Sequence, residues 1–390
     1  MITASFEPLL PTDERGVLDD LAADLLTKSN LLKGSIRPEL LLSVSELVRS
    51  MNCYYSNLIE GHKTTPRQID QALAEQYSDD QATRDLQHEA VSHIKVQKLI
   101  DEGNASTDSP QTIAYTQWLH KEFCANLPEK MLMIEHPTTQ EILRLVPGKF
   151  RENEVEVGRH LPPKVSEIMA YMTRFEEAYD PQRLSTIKSI VGVAAAHHRF
   201  VWIHPFLDGN GRVARLMSYA MLQELKAGNS AWSIARGLAR SSEEYKARLS
   251  AADQPRINDY DGRGALSDKR LFEFCEYFLK TCIDQVDFMS SILNLNELGR
   301  RIQLYCDDEI NAKRLPKGAD LLLREALLMG QVERSKASKI TGYQERQART
   351  VLSKLIDSKL RVSDAPRAPV RLGFPHSVTE RWFPTLYSVY

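Results

Sequence analysis

The feature that most restricts the fold is an apolar stretch that runs straight into a glycine-rich loop. Thr186–Ile203 (TIKSIVGVAAAHHRFVWI) is apolar on nearly every face and predicts a buried central helix. Pro205 stops that helix, because proline lacks the N–H the next turn needs. Asp208-Gly209-Asn210-Gly211 is turn sequence that tolerates positive φ, and a second helix starts at Arg212 and runs through Leu216, Met217 and Ala220. Other segments repeat the helical period. Val165, Ile168, Met169, Met172 and Phe175 predict an amphipathic helix, and Leu271–Phe288 predicts a long one. The chain therefore reads as mainly α.

At 390 residues two or three domains are expected. With 42% apolar and 26% charged residues, the chain is neither disordered, fibrous nor a disulfide-stapled miniprotein. The net charge of -2 excludes a basic nucleic-acid wrapper, but it is unevenly spread. Ala312–Tyr390 carries a net +8 and the rest a net -10, which points to a separate basic C-terminal module. Five scattered cysteines (Cys53, Cys124, Cys275, Cys282, Cys306) without a C-x-x-C fit reduced thiols, not a zinc site, and a cytoplasmic setting. No basic n-region with an apolar run opens the chain, and Ile190–Ala196 is too short to span a bilayer, so neither a signal peptide nor a membrane span is expected.

One segment breaks the helical reading. Gly148–His160 (GKFRENEVEVGRH) alternates Val155 and Val157 with Glu154 and Glu156, which predicts a short β-hairpin.

The loop itself, His204–Arg215 (HPFLDGNGRVAR), concentrates phosphate chemistry. A glycine-rich turn opening a helix presents free N–H groups at the positive end of the helix dipole, a ready anion site. Arg212 and Arg215 lie three residues apart and project from one face. Asp208 suits Mg²⁺, which prefers one or two carboxylates plus phosphate oxygens, and His204 can accept a proton near neutral pH. Each feature alone has a plain structural reading as turn, polar residue or solvated face. Their coincidence within twelve residues does not.

HPFLDGNGRVAR resembles the signature of the Fic family, with every defining position matched. The preceding AAAHHRFVWI resembles the helix that leads into that loop, and GKFRENEVEVG before Pro162-Pro163 resembles the family's flap hairpin. The resemblance covers roughly residues 40–290. It implies a helical Fic core with a β-hairpin flap that transfers AMP from ATP to a Tyr, Ser or Thr hydroxyl of a target protein. It further implies that His204 is the general base and that Asp208 binds Mg²⁺. The Gly209, Asn210 and Gly211 backbone, with the Asn210 side chain, would form an anion hole. Arg212 would take the β-phosphate, Arg215 the γ-phosphate, and Phe206 would anchor the loop. The flap would pair with an extended target segment.

Ser56–Gly61 (SNLIEG) resembles the family's inhibitory motif, which implies a brake in which Glu60 pairs bidentately with Arg215 and misaligns the phosphates, with Ser56 part of the motif. Self-modification, and reversal of the modification through Glu60, stay open. These readings divide the chain into an N-terminal helical region (1–110) with the motif at 56–61, a Fic core (111–300) and a C-terminal module (312–390).

After Pro316-Lys317-Gly318, helices are expected at Ala319–Met329, Glu333–Ile340 and from Gln344 to Lys359. Two short strands would follow, around Val362, Val370, Leu372 and Trp382-Phe383. Helix, helix, turn, helix and β-ribbon is the winged-helix order. Gln344–Val351 would be the recognition helix, with Lys336, Lys339, Arg346, Arg349 and Arg371 as candidate DNA contacts. A winged helix also serves as a dimer module, so DNA and a homodimer both remain open. The rival to the enzyme reading is a nucleotide-sensing DNA-binding regulator, against which the intact His204 stands.

Overall fold

The structure is a computed structural model, and it describes residues 2–135, 140–158, 160–363, 365 and 367–388. It is mainly helical. The helices before the loop are α1 (Val17–Ser35), α2 (Pro38–Ile59), α3 (Pro66–Leu73), α4 (Gln81–Asp101) and α5 (Ile113–Cys124). Then come β1 (Met133–Glu135), β2 (Ile142–Arg144), α6 (Ile168–Ala178), α7 (Thr186–Ile203) and α8 (Asn210–Glu224). Beyond these lie α9 (Ala235–Arg240), α10 (Ser242–Ala252), α11 (Asp268–Ile292), α12 (Leu295–Asn311) and α13 (Ala319–Met329). β3 (Gln331–Val332), α14 (Ala337–Thr341), α15 (Glu345–Asp357), β4 (Arg361–Val362), β5 (Val370–Leu372) and α16 (His376–Trp382) complete the order.

Local chemistry sets the starts of the helices that carry the site. Asp80 caps α4 by accepting the Thr83 N–H at 2.8 Å. Thr112 caps α5 through the Tyr115 N–H, and Ser185 caps α7 through the Lys188 N–H. α7 is buried on almost all sides, as its sequence requires, and packs along α8. α6 buries Ile168, Tyr171, Met172 and Phe175, whereas Met169, expected on the same stripe, faces outward. Asp261, in the DGRGALS segment, accepts the Lys269 N–H in the first turn of α11 at 2.8 Å, so that loop caps the long helix.

The hairpin lies elsewhere than expected. Gly148–His160 forms no strand among the described residues, only a single bridge between Val157 and His160. The Val/Glu alternation is real as burial, with Val155 and Val157 half-buried and Glu154 and Glu156 exposed. The segment is held by side-chain contacts and not by a ladder, and the buried Arg151 donates to the Asn153 and Pro163 carbonyls. The antiparallel pair is β1 with β2, in the register Met133–Arg144, Ile134–Leu143 and Glu135–Ile142.

Contacts group the chain into two compact units, with bounds other than 110, 300 and 312. The first holds the chain up to Asn30, Asn52–Asn229 and Ser233–Val286. α4 packs on α5 there, which joins the stretch after Asn52 to the core. The second unit holds Leu31–Met51, Ser230–Trp232 and the chain from Asp287 onward. Its last part has the expected α13 and α15, with α14 shortened to Ala337–Thr341 behind a 3-10 turn. Three strands form one antiparallel sheet in the order β3-β5-β4; β3 was not expected, and Trp382 ends α16 and not a strand.

Candidate active site

The site is built where α7 ends and α8 begins. His204 is the C-cap of α7 with φ 50° and ψ 59°, a left-handed residue that turns the chain out of the helix. Its carbonyl accepts from Arg151 Nε at 2.9 Å, and the Arg151 N–H donates to the Pro205 carbonyl at 2.8 Å. Arg151 thus clamps the loop from outside. The His204 Nδ1–H donates to the Val201 carbonyl at 3.2 Å, which leaves the Nε2 lone pair free. Burial, aided by the Arg151 charge, lowers its pKa to about 4, so the ring is neutral at physiological pH.

The loop is braced from within. Asn210 Nδ2 donates to the Phe206 carbonyl at 2.8 Å and Asn210 Oδ1 accepts the Phe206 N–H at 2.9 Å. The Asn210 side chain is directed at this brace; its backbone belongs to the first turn of α8. Phe206 is fully buried and stacks flat on His120 of α5 at 3.9 Å. His120 accepts the Gly148 N–H at Nδ1 (2.8 Å), which puts its proton on Nε2, 3.3 Å from the Asp208 carbonyl. Gly209, at φ 82°, makes the turn into α8 that a side chain would strain, and offers no side-chain cap. The first N–H groups of α8 are therefore open to an anion.

The two arginines of that turn have separate partners. Arg212 is buried and pairs with Glu89 of α4 and, at 3.1 Å, with Asp208; its guanidinium also lies 5.1 Å from the Phe123 ring centre. Burial alone would lower the Arg212 pKa, but the charges of Glu89, Asp208 and Glu60 outweigh it and raise it. Arg215 donates from Nε to Ser56 Oγ at 2.9 Å and from Nη2 to Glu60 Oε1 at 2.5 Å. This contact uses one carboxylate oxygen, where a two-oxygen pair is expected. Glu60 closes α2. The Gly61 N–H returns to the Leu58 carbonyl and the His62 N–H to the Asn57 carbonyl, with Gly61 at φ 83°. That helix end places Glu60 Oε1 2.5 Å from where a Cβ on Gly211 would stand, directly over the first turn of α8.

The family model described as Fic/DOC matches residues 117–222. Those residues form a Fic/DOC domain within the chain. A protein adenylyltransferase Fic from Drosophila erecta is 42% identical over 81 residues, 21% of this chain and 16% of that relative. The match thus spans under a fifth of the relative's length. A solved Fic family protein from Desulfovibrio desulfuricans is similar over 93% of this chain and 98% of its own, at TM-score 0.54 and 15% identity. A Fic domain containing signaling protein from Bacteroides thetaiotaomicron covers 69% of this chain and 96% of its own, at TM-score 0.52 and 21% identity. Both are likenesses of fold.

Within the Fic domain and around it, the structure adds His120, Arg151 and Glu89 to the residues the sequence singled out. They come from three separate segments, and their spacing along the chain carries no signal. A cavity of about 230 Å³ opens beside the Fic loop, lined among others by Asp208, Gly209, Arg212, His62, Met133 and Ile134. The hairpin strand β1 therefore borders it. Asp208 is half-exposed and gives one oxygen to Arg212. Among the described residues no three His, Cys, Asp or Glu groups cluster as a metal cage. One carboxylate beside open N–H groups and arginines fits Mg²⁺ carried in with phosphates. All five cysteines are free and buried, and among the described residues no helix is long and apolar enough to cross a membrane.

In the second unit, α15 buries Ala348, Val351, Leu352 and Leu355 and exposes Arg346, Gln347, Arg349 and Thr350. Lys336 and Lys339 are exposed. Arg371 is engaged by Glu46 at 2.8 Å and by Ser43 Oγ at 3.1 Å, unlike an open DNA contact.

Proposed function

We propose that this protein is an auto-inhibited protein adenylyltransferase that moves AMP from Mg²⁺–ATP to a Tyr, Ser or Thr hydroxyl of a target protein. The observation that carries this reading is a neutral His204 with a free Nε2 at the mouth of a loop that also holds Arg212 and Arg215. Kinship with the relatives named adenylyltransferase supports it.

His204 Nε2 takes the proton of the target hydroxyl. The hydroxyl oxygen bonds to the α-phosphorus as the bond to the bridging oxygen breaks, and pyrophosphate leaves. Arg212 and the N–H groups of Gly211 and its neighbours hold phosphate oxygens, and Arg215 takes the terminal phosphate once Glu60 withdraws. Bound at Asp208, Mg²⁺ would neutralise charge between the α- and β-phosphates. Transfer of this kind is mostly alignment and charge neutralisation, which the braced loop is built to give. Glu60 and Ser56 hold Arg215 and so form the brake.

Wild type, Glu60→Gly and His204→Ala are compared in lysate with ATP labelled on the α- or the γ-phosphate. We expect α-label on protein, at least about tenfold stronger in Glu60→Gly and lost by about 10²–10⁴-fold in His204→Ala. Transfer of γ-label would mean phosphorylation and overturn the reading. Intact mass of Glu60→Gly after incubation tests self-modification, for which a second copy of the chain would serve as target; reversal through Glu60 would appear as loss of that mass on adding wild-type chain with Mg²⁺ and no ATP.

A second reading, DNA binding, is favoured by the exposed Arg346, Gln347, Arg349 and Thr350 face of α15 on a winged-helix-like module. Retardation of random duplex DNA that weakens with salt, and weakens further in Arg346→Ala, would support it. A cytoplasmic setting accords with the free cysteines.

A further inference from the structure

We infer that Glu89 is a positioning residue with two duties: it fixes Arg212 for a phosphate and, through His62, fixes the helix end that carries Glu60. This rests on the nucleotide-binding part of the reading above. The Glu89 carboxylate is completely buried in the middle of α4. A buried carboxylate persists only with partners for its oxygens. Both of its oxygens are engaged, Oε1 by Arg212 Nη1 and Oε2 by His62 Nδ1 at 2.6 Å.

Those two partners belong to different parts of the machinery. Arg212 stands in the first turn of α8, and its Nε–H is buried without a partner among the described residues. His62 stands two residues past Glu60. Its backbone N–H closes α2 onto Asn57, and its half-exposed ring lines the same cavity as Arg212 and Asp208. One carboxylate thereby ties a phosphate arginine to the segment that must move for the brake to lift. Without the Glu89 charge, Arg212 keeps its ion pair with Asp208, and the guanidinium is drawn toward the loop and away from the α4 side. Without the His62 ring, the end of α2 loses a side-chain tether while Glu60 itself is untouched.

The test uses the full chain. ATP binding is measured by calorimetry in EDTA, so that neither metal nor transfer enters. In a Glu60→Gly background, Glu89→Gln is expected to weaken ATP about tenfold. Glu89→Asp, which keeps the charge, recovers part of the loss. With Glu60 intact, His62→Ala speeds amide exchange over residues 56–62 and raises α-label transfer severalfold, whereas His62→Gln, which retains an N–H donor, does neither. Thermal unfolding checks that each variant folds; if Glu89→Gln does not, Glu89→Asp and the His62 pair decide. ATP affinity unchanged in a folded Glu89→Gln, or exchange unchanged in His62→Ala, overturns the inference. If no variant transfers label, the adenylyl-transfer reading falls, while affinity and exchange still judge Glu89.

Discussion

Arg212 and Arg215 sit one turn apart on α8, yet their counter-ions are of opposite kinds. Glu89, opposite Arg212, is wholly buried in the body of a helix that is itself capped and packed. Glu60, opposite Arg215, keeps 29% of its side chain exposed and stands at a helix end, next to Gly61 at φ 83°. Arg212 also shares Asp208, whereas Arg215 leans on a serine hydroxyl and carbonyl. A buried, fully engaged carboxylate is a permanent partner. A part-exposed one at a frayable end can withdraw at modest cost. On the proposed function, that helix turn would carry a fixed cation in Arg212 and a releasable one in Arg215.

That contrast can be broken most directly by thermal unfolding of Glu89→Ala beside Glu60→Ala. Removing Glu89 strips the buried Arg212 of its buried counter-charge and leaves it the half-exposed Asp208, so Glu89→Ala should cost about 3–5 kcal/mol. Glu60→Ala should cost about 1 kcal/mol or less, as partly exposed pairs do. Equal losses would mean that Glu60 is as structural as Glu89.

The two halves of the contrast were unequally legible in the sequence. Glu60, Ser56, Asp208, Arg212 and Arg215 lie in short contiguous motifs, and the structure brings all five together around the start of α8. Glu89, His120 and Arg151 reach the site from α4, from α5 and from a loop, and only tertiary packing unites them with it. The buried helix α7 was legible because burial on all sides leaves an apolar run. The hairpin was not, because its strands are three residues each, too short to show a period. The alternation at Val155 and Val157 drew the expectation to a loop held by Arg151 instead. In the tail, the two-residue strand β3 is equally below the reach of periodicity.

Acid and alkali should act on the two pairs from opposite sides. Burial alone would raise the Glu60 pKa, but Arg215 and Arg212 outweigh it and hold it below 4.5. The stability it contributes is present above 4.5 and is lost as pH falls through that depressed value. His62 is raised above 6.5, mainly by its hydrogen bond to Glu89 against the opposing effect of burial. Its contribution is present below 6.5 and is lost as pH rises through the raised value. Above pH 6.5 the melting temperature of the wild type should therefore fall as pH rises through that raised value, and His62→Gln should flatten the slope. In Glu60→Gly, transfer should hold from neutral pH to about 5 and drop as His204 protonates near 4. A drop centred near 6.5 would mean that the His204 ring is solvated and not packed.

The smallest effect expected is the most informative about the switch. Ser56→Ala removes the acceptor of Arg215 Nε and leaves that buried donor unmatched, at about 1 kcal/mol. Its carbonyl still receives Nη2 at 3.3 Å, and Glu60 is unchanged. If Ser56 merely fills space, the variant melts slightly lower and transfer stays at the wild-type level. If Ser56 aims Arg215 at Glu60, a looser guanidinium spends less time on the carboxylate and more over the phosphate site. Transfer should then rise about two- to threefold with Glu60 present and not at all in Glu60→Gly. A rise in both backgrounds would place the serine's influence on Arg215 and the nucleotide, outside the brake.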